Sequence, residues 1–338
     1  MRSDGLPSSR PHHGGRLRDA ARQYGIALET WLDLSTGINP QPYPASKIPA
    51  SSWLRLPEDN DGLQTAAAAY YGCDDAHILP VAGSQAAIQA LPHVLPGNRV
   101  SILGATYAEH AWAWHTRQAS VVGCEDLEQA ADTSDIVIVV NPDNPTGRII
   151  EPKRMEAAHA RLASRGGWLL VDEAFMDTTP EASMAANAGH PALVVLRSLG
   201  KFFGLAGARV GFVLAPAELN RQLAQILGPW TIAGPSRLVA RCALTDTEWQ
   251  GRTRDALRRA STRLSALLRE CGLGAPSGCA LFQQITTNKA ANWTERLARQ
   301  GILVRCFDNP DRIRFGLPAC EHEWQRLEAA LRRITEEQ

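Results

Sequence analysis

Between residues 78 and 214 the chain repeats one pattern. A short apolar, β-branched run is followed by a longer stretch of helical character. The runs are Ile78–Ala82, Arg99–Leu103, Ser120–Gly123, Ile136–Val140, Trp168–Val171, Leu193–Arg197 and Val210–Leu214. Several are apolar without interruption, as strands buried on both faces must be. The connections leave room for crossover helices. This predicts an α/β fold, a three-layer α/β/α arrangement around a mainly parallel seven-stranded sheet.

Beyond residue 245 the pattern changes. Leu257, Ala260, Leu264, Leu267 and Cys271 recur at helical spacing, and Gly272 follows as a stop. A second amphipathic helix runs through Trp324, Leu327, Leu331 and Ile334. Leu281–Ile285 and Arg312–Gly316 read as short strands between them. The length, 338 residues, divides into about two domains at ~150 residues each. We expect a large domain over 41–245 and a smaller α+β domain built from 1–40 and 246–338.

Composition narrows the function. There are 35 Lys plus Arg and 35 Asp plus Glu, so the formal charge is zero. Such a chain has no global field to hold a polyanion, and we expect no nucleic-acid and no membrane partner. No apolar run approaches the ~20 residues of a membrane span, and Met1 to Arg22 carries no hydrophobic signal region. The seven cysteines are odd in number and show no CxxC spacing, which points to a reduced, cytoplasmic protein. His12-His13 has no further ligand spacing, so no metal is expected. His110 and His115 lie in an Ala/Trp-rich stretch and read as helix-packing residues.

Ligands of open α/β sheets bind at the carboxyl ends of the strands. No GxGxxG or GxxxxGK[ST] signature occurs there. Gly83-Ser84-Gln85 follows the first run and opens a helix, whose free N–H groups favour an anion. Two Asx-Pro units in Asn141-Pro-Asp-Asn-Pro-Thr-Gly147 force a rigid turn. Asp172 and Glu173 follow a buried run, and such acids need a cationic or proton-donating partner. Lys201 lies among glycines, where a lysine can approach a cofactor and form a Schiff base.

Taken in order, Gly83-Ser84, Asn144-Pro-Thr-Gly, Asp172-Glu-Ala-Phe, Ser198-x-x-Lys201 and Gly207-x-Arg209 resemble the fold-type I pyridoxal-phosphate enzymes, the aspartate aminotransferase superfamily. The resemblance implies pyridoxal 5'-phosphate as cofactor and assigns roles. Lys201 matches the Schiff-base lysine. Asp172 matches the acid paired with the pyridine nitrogen, which keeps the ring an electron sink. Asn144 matches the amide on the 3′-oxygen, and Tyr107 the aromatic stacked on the ring. Gly83, Ser84, Gln85, Ser198 and Arg209 match the phosphate cradle. Arg312 matches the arginine that clamps the substrate carboxylate, with Arg314 a second candidate. Two positions depart from the family: Phe175 and Leu56 stand where many relatives have tyrosine.

The N-terminal segment, His13-Gly14-Gly15-Arg16 and Ser35-Thr36-Gly37-Ile38-Asn39-Pro40, is similar to the threonine-phosphate decarboxylase branch of that family. That resemblance implies decarboxylation of L-threonine O-3-phosphate to (R)-1-aminopropan-2-yl phosphate and CO2, supplying the aminopropanol linker of cobalamin. It places His13, Thr36, Gly37 and Asn39 among the substrate-binding residues and implies a homodimer. The alternatives are a histidinol-phosphate-type aminotransferase and a non-catalytic pyridoxal-phosphate regulatory module.

Overall fold

The computed structural model of the chain describes residues 11–45, 48–308 and 311–336. The first ten residues of the expected smaller domain lie outside the described residues. The chain forms two compact units, one from Tyr43–Asn144 and Ile149–Trp249, the other from His12–Pro42, Pro145–Arg148 and Gln250–Gln338.

The first unit holds seven strands: β1 (Ile78–Val81), β2 (Arg99–Leu103), β3 (Ser120–Cys124), β4 (Ile136–Val140), β5 (Trp168–Asp172), β6 (Leu193–Ser198) and β7 (Gly211–Leu214). They form one sheet in the order β1-β7-β6-β5-β4-β2-β3. Each lies on a run expected from the sequence. β2 to β6 pair in parallel, whereas β7 runs antiparallel to both neighbours, β1 and β6.

Side chains alternate across a strand, so uninterrupted apolar runs bury both faces. On one face Ile136, Ile138, Leu170, Val194 and Leu196 pack with Ile88, Leu91, Trp114, Leu219 and Leu223 from helices. The intervening residues Val137, Val139, Leu169, Val171 and Val195 are as deeply buried. Helices Leu127–Thr133 and Pro152–Ala163 pack against the central strands β4 and β5. The first of these is capped by Asp126, whose carboxylate accepts from Gln129 N–H at 2.9 Å, and the second begins on a proline.

The second unit holds β8 (Ser277–Cys279), β9 (Phe282–Thr286), β10 (Arg305–Asp308) and β11 (Asp311–Gly316). They form an antiparallel sheet in the order β10-β11-β9-β8. The two amphipathic helices are Thr247–Glu270 and Glu321–Glu336. Leu32–Asp33 pairs in parallel with Ile302–Leu303 and ties the N-terminal segment to this unit. The larger domain was expected to run unbroken from 41 to 245; instead Pro145–Arg148 belongs to the second unit. The cause is local. Gly147 lies so close to Gly278 that a Cβ would stand 2.1 Å from its carbonyl carbon. No described helix is long and apolar enough to cross a membrane.

Candidate active site

Parallel strands end together, so the residues that follow them gather at one edge of the sheet. Register places Val140 beside Asp172 and Asp172 beside Leu196. Because β7 is antiparallel, its first residue, Gly211, meets both Val81 and Ser198. The turns after β1 and β6 and the turn before β7 thereby converge. Lys201 and Arg209 share the connection 199–210 between β6 and β7, which Leu199 N–H closes onto Val210 O at 3.1 Å.

The expected anion cradle is set by two close approaches. Gly83 has φ +74°, and a Cβ there would stand 2.2 Å from the Arg209 guanidinium. A Cβ on Gly211 would stand 2.5 Å from the Ser84 nitrogen. Only glycine lets these chain passes come together. Arg209 itself is left-handed at φ +53°, and its Nη1 donates to Ala206 O at 3.1 Å. Ser198 Oγ accepts from Gly200 N–H at 3.2 Å.

A polar chain runs through the same unit. Gln85 Nε2 donates to Glu109 Oε2 at 2.8 Å, and Tyr107 O–H donates to Gln85 Oε1 at 3.1 Å. Burial, with Glu109 and Asp172 nearby, pushes the Tyr107 phenol well above its usual range, so it stays a donor. The Tyr107 ring meets His110 edge-on, with centroids 6.1 Å apart. His110 in turn lies 2.9 Å from Asp172 Oδ2, and their side chains are 1% and 4% exposed. Asp172 Oδ1 accepts from Ala174 N–H at 3.1 Å. With Asp172 as a carboxylate, which only accepts, His110 Nε2 is the donor of this pair. The Lys201 ammonium lies 5.2 Å from the centroid of the buried Phe175 ring. Asn144 is half-buried, and its carbonyl accepts from Thr106 O–H at 3.2 Å.

The remaining expected residues belong to the second unit. Arg312 and Arg314 stand two apart on β11 and share a face. Arg305 on β10 lies directly opposite Arg314. Arg314 is buried, donates to Ser35 O at 2.9 Å, and lies 5.1 Å from the Phe282 ring centroid. Burial pushes its guanidinium down to about 10, and Arg305 adds to that pull. Arg312 Nε is buried and meets no hydrogen-bond partner among the described residues. The N-terminal segment packs against the same strand. A Cβ on Gly316 would stand 2.4 Å from Thr36 O, and Gly15 N–H donates to Ser35 Oγ at 2.7 Å. His13 is exposed, Thr36 half-buried and Gly37 buried. Asn39 Oδ1 accepts from Gln41 N–H at 2.9 Å, the local bond of an Asx turn.

Two residues were not visible in the sequence as site candidates. By sequence His110 reads as packing, yet the structure sets it against Asp172, the acid expected at the cofactor nitrogen. Its signal was the demand of a buried Asp172 for a proton donor, without any indication of which one. Arg305 gains meaning only from the register that sets it against Arg314. No cluster of His, Cys, Asp and Glu suited to a metal occurs among the described residues.

Comparison with known proteins gives the family. The model of the family "Aminotransferase class I and II" matches residues 56–334. A threonine-phosphate decarboxylase of Pseudomonas aeruginosa is 54% identical over 94% of this chain and 96% of its own. One from a Sinorhizobium species is 42% identical over 95% and 98%. The histidinol-phosphate aminotransferase of Sinorhizobium meliloti, solved with pyridoxal-5'-phosphate, superposes with a TM-score of 0.84 at 21% identity, covering 100% of this chain and 99% of that one. With strand ends, glycine approaches and sequence all in accord, the chain belongs to the aminotransferase class I and II family.

Proposed function

We propose that this chain is a pyridoxal-phosphate-dependent decarboxylase acting on L-threonine O-3-phosphate. The observation that carries the substrate class is the face of the four-stranded sheet. It presents Arg305, Arg312 and Arg314 together, with Arg305 directly opposite Arg314. Like charges in that register repel, unless anions lie against them. A carboxylate and a phosphate on one small substrate meet that demand. The relatives at 54% and 42% identity, both threonine-phosphate decarboxylases, support the reaction.

The residues at the strand ends fit the cofactor. Gly83 lets the Arg209 guanidinium pack against its Cα, where a side chain would collide with it, and a phosphate group suits that cation. Ser84, Gln85 and Ser198 add donors. Asp172, desolvated and held by His110, suits a protonated ring nitrogen. Asn144 supplies an amide for the ring oxygen, Tyr107 an aromatic face, and Lys201 the attachment amine. When bound, the cofactor supplies a sink for the electrons released as CO2 leaves.

The chain's own groups do the rest. Arg312 holds the substrate carboxylate with its two-pronged guanidinium. Arg305 and Arg314 take the substrate phosphate. His13, Thr36, Gly37 and Asn39, from the N-terminal segment, are the further proposed substrate contacts. Lys201 Nζ returns a proton to the substrate Cα after CO2 departs.

Incubation with threonine phosphate and no keto acid tests the reading. CO2 should form continuously, and Arg305→Ala should raise KM about 10–100-fold with a smaller change in kcat, as lost ground-state binding does. Transamination without CO2 would instead establish an aminotransferase of the histidinol-phosphate type.

We also propose a homodimer. Trp53, Leu54, Leu56 and Trp230 are exposed apolar side chains on the first unit, Leu54 to 84%. Large exposed apolar groups near one another mark interfaces. Sedimentation velocity at micromolar concentration should give twice the chain mass; a monomer there refutes it. All seven cysteines are free thiols, which suits the reducing cytoplasm, where cell fractionation should find the protein.

A further inference from the structure

Behind β5 and β6 lies a buried ion lattice that none of the binding roles uses. Arg197, Glu173 and Asp177 are each at most 2% exposed. Arg197 Nη1 donates to Glu173 at 2.6 Å, and its Nη2 donates to Asp177. Glu173 also accepts from Ser183 O–H and from Met184 N–H, the latter at 2.7 Å. Tyr70 O–H donates to Asp177 at 3.1 Å, and the Tyr71 ring centroid lies 4.6 Å from the Arg197 guanidinium carbon.

Stability alone does not account for such a lattice. Taking three charges out of water costs more than packing apolar groups of the same volume, and buried ion triads can be replaced by apolar residues without loss. What the lattice adds is direction. Glu173 follows Asp172, and Arg197 precedes Ser198. Glu173 N–H donates to Leu196 O at 2.9 Å, so the ladder continues past Asp172. Side chains alternate along a strand. Glu173 and Arg197 therefore lie on one face of this strand pair, and Asp172 and Ser198 on the other. On the rear face Arg197 Nη1 ties the carboxyl ends of the two strands through Glu173, and its Nη2 ties β6 to Asp177 in the turn that follows β5, which restrains both ends.

We infer that Arg197, Glu173 and Asp177 are positioning residues, which hold Asp172 and Ser198 in the orientation that receives the cofactor. This rests on the roles proposed for those two residues. Two variants of the full chain test it. Arg197→Lys keeps the charge and removes the planar fork. The triple variant Arg197→Met, Glu173→Leu, Asp177→Leu replaces the lattice with apolar volume.

The triple variant should melt at or above the parent temperature. In both variants the dissociation constant for pyridoxal phosphate should rise on the order of tenfold, the usual cost of loosening groups that support a binding site. The visible circular dichroism of the bound cofactor should fall with it. A folded variant with the parent's dissociation constant and dichroism overturns the inference. If the triple variant does not fold, the lattice is a stability element, and Arg197→Lys with unchanged cofactor binding completes the refutation. A parent chain that takes up no pyridoxal phosphate overturns the roles of Asp172 and Ser198 instead.

Discussion

Replacing Lys201 with alanine is expected to lower CO2 release from threonine phosphate by about 10⁴-fold, the upper range for losing a positioned proton carrier. Borohydride should no longer fix the cofactor to the chain. Lys201 is the lysine of the connection 199–210, and its ammonium lies over the buried Phe175 ring. No neighbouring amine is positioned on that connection to replace it. Lys201→Arg should fail almost as badly. A guanidinium keeps the positive charge, but its pKa is too high for it to give and take a proton near neutral pH. The measurement is turnover under saturating substrate. A Lys201→Ala enzyme within about tenfold of the parent rate would remove the lysine from the chemistry.

Asp172→Ala should give the next largest loss, on the order of 10²–10³-fold in kcat, the scale for removing one preorganised electrostatic group. It should also destabilise the fold by about 1–3 kcal/mol, because His110 would be left with a buried, unpaired N–H. Asp172→Asn separates these effects. The amide oxygen can still accept from His110, although its NH2 then faces Ala174 N–H, so the melting temperature should fall less than in the alanine variant. It carries no charge to hold a protonated ring nitrogen, so activity should fall as in the alanine variant. Equal activity in Asp172→Asn and the parent would show that the carboxylate's charge is not used.

The first unit was legible because its strands are buried twice over. Ile136–Val140 cannot be mistaken for a half-exposed strand, and the polar residues that follow such runs announce the ligand edge. The second unit was legible only in part. Its helices carry a clear period, yet β10 reads Arg-Cys-Phe-Asp, and nothing in four polar or mixed residues signals a strand. Its pairing with β11 is what makes Arg305 matter. Long-range register also hid His110, which lies 62 residues from Asp172. Helical spacing explains its burial equally well without that partner. At Asn39 the turn itself was legible, because Asn-Pro is a turn signal and the Asn39 amide oxygen accepts from Gln41 N–H.

The antiparallel placement of β7 has a consequence for how the protein acquires its cofactor. The lysine proposed as covalent anchor and the arginine proposed to hold the phosphate lie in one short hairpin, eight residues apart, where Leu199 N–H bonds to Val210 O. An anion caught by Arg209 also tethers the hairpin that carries Lys201. Under the proposed roles, holding the anion and presenting the amine fall to one mechanical element. A change in the length of that loop would alter both at once, so the two functions are bound to vary together.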